Sequence, residues 1–217
     1  HPWWIAADEV AARTQAADLL ELLSDTRFVG EIGLDTSAHA AAPLEVQRAV
    51  FRQIVGACAR LGGKVLSLHG VRAVPTLLDE LEASGVTRTC TCIFHWFSGS
   101  SADLVRARDL GCMFSVGSRM LQSKKGRAYV KAIPTDALLL ETDLPEDMRA
   151  LSEDGEDASA DVLCAQTVAA QMDAALAETL DMLGEILVSP GDCLAAQRER
   201  QAALAEQVAA HSARLLL

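Results

Sequence analysis

A glutamate, two histidines and an aspartate lie in or at the end of four short apolar runs. The runs are Val29-Gly30-Glu31-Ile32-Gly33-Leu34-Asp35, Lys64-Val65-Leu66-Ser67-Leu68-His69, Cys92-Ile93-Phe94-His95 and Leu138-Leu139-Leu140-Glu141-Thr142-Asp143. Imidazole and carboxylate together suit a borderline or hard divalent ion that activates water. A carboxylate placed between two ions can bridge them, and Glu31 is the candidate for that role. Taken singly, each residue has a plainer explanation. His69 on an apolar strand reads as a hydrogen-bonded core histidine, Glu31 as the partner of an arginine, and Glu141 to Asp143 as a polar strand end entering a turn. Taken together they fall at one level of one repeated construction, and that favours the metal site.

The construction is strand followed by helix. Period-two alternation over residues 28–34 predicts a strand with Glu31, Gly33 and Asp35 on one face and Ile32 and Leu34 on the other. Its two glycines admit close approach by other groups. Further strands are predicted over 64–68, 91–96, 112–116 and 137–141. Helical patterns cover 7–23, 43–61, 73–83, 102–110 and 124–132, several ended by glycine. In the first helix, Val10, Leu19, Leu20, Leu22 and Leu23 are the expected inward face. Strands alternating with helices at this spacing imply parallel βα units. Ligand types at the ends of several successive strands converge only if the sheet curves round a common axis, which selects a barrel over a doubly wound sheet. The expected organisation is a barrel portion over residues 1–145, an acidic loop over 146–161, and Ala-rich helices over 162–217 packed on the barrel.

Half of the 217 residues are apolar, so the chain can bury a substantial core. No apolar run approaches the roughly 20 residues that span a bilayer, and no membrane association is expected. The formal charge of −11 argues against a broad basic surface for polyanions. A nucleic-acid substrate therefore needs local attraction, as bound cations provide. No Cys-x-x-Cys occurs among the six cysteines, which read as reduced thiols of a cytoplasmic protein. The start at His1-Pro2 reads as a chain entered partway through a domain. No obligate protein partner is evident.

The segments Val29 to Asp35, Leu68-His69-Gly70 with Arg72-Ala73, Phe94-His95-Trp96-Phe97-Ser98-Gly99 and Leu139-Leu140-Glu141-Thr142-Asp143-Leu144-Pro145 resemble the signatures of TatD-type metal-dependent hydrolases. His1-Pro2 resembles the end of that family's Gly-x-His-Pro segment. The resemblance runs in order over about residues 1–145. It implies an amidohydrolase-type TIM (β/α)8 barrel, here lacking its first strands, and a divalent-metal-dependent hydrolase, commonly a deoxyribonuclease. It further implies that Glu31 bridges two ions (zinc, magnesium or manganese), that His69 and His95 hold one, and that Asp143 holds the other. The family's N-terminal His-x-His is absent from this sequence, as is its Arg-Asn-Glu-Pro-like segment.

The residues thus support hydrolysis by a metal-activated water, with Asp143 and Glu31 catalytic. Arg72 is a candidate for receiving phosphate oxygens and Trp96 for stacking a base, with DNA the expected substrate. Asp35 is expected to orient a histidine. Phe97 is weighed as pocket wall against core. Two other readings compete: an amidohydrolase-like enzyme on a small ester or amide, and a degenerate, non-catalytic barrel.

Overall fold

The computed structural model describes residues 1–143, 158–187 and 194–216. The chain packs as two units, His1–Ser115 and Val116–Leu217.

The first unit opens with a 3-10 turn, Pro2–Trp4, and continues as α1 (Glu9–Leu22), β1 (Phe28–Asp35), α2 (Leu44–Leu61), β2 (Val65–Val71), α3 (Val74–Ser84), β3 (Thr91–His95), α4 (Ser101–Asp109) and β4 (Met113–Val116). Parallel pairing joins β1 to β2, β2 to β3 and β3 to β4, so strands adjacent in sequence are adjacent in the sheet. Capping chemistry sets the helix starts. The Asp8 carboxylate accepts from the N–H groups of Val10 and Ala11, starting α1 two residues later than the apolar pattern predicts. Ser100 and Asp103 form a capping box at α4.

The inward face of α1 differs from expectation. Val10 is 73% and Leu22 61% exposed, while Ala12, Ala16 and Leu23 are buried. The buried stripe follows small residues four apart, which bring the helix close to its neighbours. Counting large hydrophobes misses such a stripe. In α2 the buried positions Gln47, Val50, Phe51, Ile54, Val55 and Cys58 keep the helical period. The core under the sheet is aromatic. Phe94 on β3 lies 6.0 Å from Phe114 on β4, and Phe97 meets both edge-on. Phe97, 3% exposed, is therefore core and no pocket wall.

Cys58, Cys90, Cys92 and Cys112 are free and buried. Burial pushes the Cys58 thiol up to about 11 and that of Cys112 to about 12, so these groups behave as small hydrophobes. Cys164 and Cys193 lie outside the residues whose side chains are described.

An ion triad joins α2 to α3. The buried Glu80 carboxylate accepts from Arg48 (2.5 Å) and, in two bonds of 2.7 Å, from Arg52. The Arg52 bonds lower the Glu80 carboxyl most, burial works against them, and with Arg48 the carboxyl settles at about 2 from an ordinary value of 4.5. A depressed carboxyl stabilises the fold at pH above its unfolded value and loses that contribution as pH falls through its folded value. Between pH 4.5 and 2, acid is expected to remove about 1–2 kcal/mol through this group, the arginines being partly solvated. Glu80→Gln should flatten that part of the curve of denaturation midpoint against pH; an unchanged curve would refute the assignment.

The second unit comprises α5 (Ser118–Leu121), α6 (Lys124–Ala132), β5 (Leu138–Leu140), α7 (Ala158–Leu187) and α8 (Leu194–Leu216). Val116, the last residue of β4, accepts at its carbonyl from the Glu141 N–H (3.0 Å), and the sheet order is β1-β2-β3-β4-β5. α7 packs on α8 and also meets α5 and α6. It begins at Ala158, within the stretch expected to be an acidic loop; residues 146–157 of that loop lie outside the described residues, as does the interruption expected at 189–191. Helix α6 has its predicted bounds, whereas the four-residue α5 is too short to carry a period. Among the described residues no helix is long and apolar enough to cross a membrane.

Candidate metal centre

Strand β1 carries one extra residue against β2. Val29 pairs with Leu66 and Ile32 with Leu68, so Gly30 and Glu31 together face Ser67. The bulge breaks the simple alternation expected for this strand and re-aims Glu31. Both glycines are steric requirements. A Cβ on Gly30 would lie 2.6 Å from the Ser67 Cβ, and one on Gly33 would lie 1.9 Å from the His69 carbonyl oxygen.

That close approach sets His69, inside β2 and opposite Gly33, against Glu31. The Glu31 Oε2 lies 3.4 Å from His69 Nδ1 and 3.4 Å from His1 Nε2, and the two ring nitrogens are 3.2 Å apart. The three atoms form a nearly equilateral triangle. A tetrahedral ion bound at about 2.0–2.1 Å separates its donors by roughly 3.3–3.4 Å, the same spacing. These distances are long for hydrogen bonds of charged groups, which contract to about 2.7–2.9 Å. The donor set therefore fits a divalent ion. The other carboxylate oxygen, Oε1, faces His95 Nε2 at 4.0 Å.

Asp35, at the end of β1, fixes the His69 ring. Its Oδ2 accepts from His69 Nε2 (3.1 Å) and from the Trp3 indole (2.5 Å), and its Oδ1 accepts from the Ser37 N–H (2.6 Å). Burial would raise the Asp35 carboxyl, but the bonds from Ser37, Trp3 and His69 overcome it and hold the group at about 2. An ionised Asp35 accepts from Nε2–H and so leaves Nδ1 as a lone-pair donor toward Glu31 and His1. Gln47 clamps the backbone behind it. Its Oε1 accepts from the Asp35 N–H, and its Nε2 donates to the carbonyls of Asp35 and Ala42, all at 2.8 Å. Glu31 is held below its usual value by the adjacent His69 first, then by the nearby His95, with burial opposing.

The family resemblance implies His69 and His95 on one ion; the structure groups His69 with Glu31 and His1, and His95 faces the opposite oxygen of Glu31. His1 itself was missed as a donor, because it precedes a 3-10 turn and ends no strand; its place beside Pro2 in a recognisable segment was the available signal. Asp143 follows β5 in the second unit and is exposed. Arg72 is exposed directly after β2, and Trp96, 36% exposed, follows directly after β3. Among the described residues the non-glycine positions with positive φ are these three: Arg72 (54°), Trp96 (38°) and Asp143 (54°). Such a conformation costs of order 1–3 kcal/mol for a side-chain-bearing residue and clusters at functional sites.

The family model for TatD related DNase matches residues 1–188. The chain belongs to this family. It is 31% identical over 135 residues to the 3'-5' ssDNA/RNA exonuclease TatD of Edwardsiella piscicida, covering 60% of this chain and 51% of that protein. It is 29% identical over 119 residues to the uncharacterized metal-dependent hydrolase YabD of Bacillus subtilis, covering 54% and 46%. The chain thus spans about half the length of these relatives. The crystal structure of YJJV, a TatD homolog from Escherichia coli k12, superposes with a TM-score of 0.68 at 22% identity, over 99% of this chain and 73% of that one. The α/β fold expected from the βα repeat is therefore that of the TatD homologues, of which the described residues contain five strands.

Proposed function

We propose that this chain carries the catalytic portion of a divalent-metal-dependent hydrolase that cleaves phosphodiester bonds of DNA, single strands above all. The observation that carries the reading is the triangle of Glu31 Oε2, His69 Nδ1 and His1 Nε2 backed by an ionised Asp35. Glu31 would serve two ions in this reading, which its two oxygens facing different histidines support. His1 and His69 would hold one ion and His95 the other, with Asp143 proposed as a further ligand and proton acceptor. Divalent cations held here supply Lewis acidity and lower the pKa of a bound water toward neutrality. The chain's own residues do the rest. Asp35 keeps the His69 lone pair aimed, Glu31 keeps its negative charge, Arg72 receives a phosphate oxygen, and Trp96 offers a face to a base. The relatives' names, metal-dependent hydrolase and ssDNA/RNA exonuclease, support the reaction class and a nucleic-acid substrate. The free buried thiols support a reducing, cytoplasmic setting.

The deciding experiment combines elemental mass spectrometry on protein purified without chelator with hydrolysis of single-stranded oligonucleotides of graded length and of a small aryl ester. Bound ions with length-dependent cleavage support the proposal. Bound ions with turnover of the ester alone would move it to the small-substrate reading, and absence of ions would end it. Strain gives a second test. Arg72→Gly should leave stability within about 1 kcal/mol, since glycine adopts φ 54° freely. The same variant should weaken oligonucleotide affinity about tenfold in a fluorescence-anisotropy titration. Unchanged affinity would remove Arg72 from the substrate site.

A further inference from the structure

At the end of the sheet away from the metal centre, an open pocket of about 320 Å³ is lined by Arg27, Lys64, Arg88 and Thr91, among other residues. Lys64 precedes β2 and Thr91 begins β3, whereas His69 and His95 lie five and four residues further along the same strands, about 13–17 Å away at the rise of a strand. None of the lining residues is acidic. Lys64 is 8% exposed, and its ammonium donates to the carbonyls of Leu23 and Thr26, each at 2.5 Å. An ammonium has three N–H donors. The third has no partner among the described residues, and no carboxylate neutralises this buried charge. Removing a charge from water without a counter-charge is unfavourable. Arg27 lies over the Phe28 ring at 5.9 Å and forms no ion pair among the described residues, nor does Arg88. Three cations thus converge, without an acid, on one pocket of a chain whose formal net charge is −11.

We propose that this pocket is a binding site for a phosphate-class oxyanion, separate from the metal centre, with Arg27 and Arg88 gripping the anion and Lys64 supplying the buried charge. The oxyanion is either free phosphate or a backbone phosphate of a bound strand; both present the same oxygens to the guanidinium groups.

The test is thermal unfolding of metal-free, chelator-treated protein, which silences the metal centre, titrated with inorganic phosphate or a short oligothymidylate against sodium chloride of equal ionic strength. At about tenfold excess over its Kd, a site of this kind should raise the melting midpoint by about 3–5 °C. The Arg27→Gln/Arg88→Gln double variant should lose that rise while matching the parent in chloride and in metal content. A rise with phosphate identifies the free anion as the ligand, and one with the oligonucleotide alone identifies the strand. No rise with either, or a rise that survives the double substitution, overturns the proposal. Because the metal-free protein is used, failure here leaves the hydrolase reading untouched.

Discussion

Replacing Glu31 by glutamine is expected to release bound metal and to lower phosphodiester hydrolysis by about 10³-fold or more, equivalent to about 4 kcal/mol of transition-state stabilisation. The substitution keeps the shape of the side chain and removes its charge. In the native chain the carboxylate puts Oε2 at 3.4 Å from both His1 Nε2 and His69 Nδ1 and turns Oε1 toward His95. A neutral amide cannot offset a divalent charge and supplies one oxygen where two are needed. Its N–H group would face either the lone-pair side of His69 or the ring of His95. The fold should survive, because Glu31 is only half-buried and rests on a bulge that Gly30 and Ser67 define. Circular dichroism should therefore match the parent while elemental analysis shows less than a tenth of its metal. Retention of the full metal complement would place the ions elsewhere and dismantle the centre drawn here.

Much of this candidate site is legible in the sequence, and the parts that are not share a physical reason. Glu31, His69 and His95 stood out because each lies in an apolar run whose type and spacing mark a strand. Alternation could not announce the bulge at Gly30 and Glu31, since a bulge is a failure of alternation. It needs the register against Ser67 to be seen. His1 and Trp3 come from a turn without periodicity, so pattern reading had no purchase on them, yet one completes the donor triangle and the other donates to Asp35. Gln47 reads in sequence as one polar residue on an amphipathic helix. Its burial and three backbone hydrogen bonds appear only once α2 is packed beside the end of β1. The basic pocket was hidden because its arginines are far apart in the chain, and a net-charge count averages them away.

Gly33→Ala is expected to be severely damaging for a single added methyl, destabilising by about 3–5 kcal/mol. The added Cβ would sit 1.9 Å from the His69 carbonyl oxygen and 2.8 Å from its carbonyl carbon. Both are backbone atoms of the paired strand, so no rotamer change relieves the clash. Only a separation of β1 from β2 does, and Gly33 pairs with His69 in that ladder. The φ of 152° adds a conformation that alanine resists. Since His69 is the residue displaced, stability and metal binding should fall together. A control isolates the steric term: Gly63 also has positive φ (66°), but a Cβ there meets nothing within 4 Å. Gly63→Ala should therefore cost only about 1–2 kcal/mol, the penalty of the left-handed backbone alone, and should leave metal content unchanged. For a chain of this length the two variants should then differ in melting midpoint by about 2–16 °C. If they melt within about 2 °C of each other, the close approach of β1 to His69 is dispensable. The glycine in the Glu-Ile-Gly segment would then owe its place to backbone freedom rather than to the seating of His69.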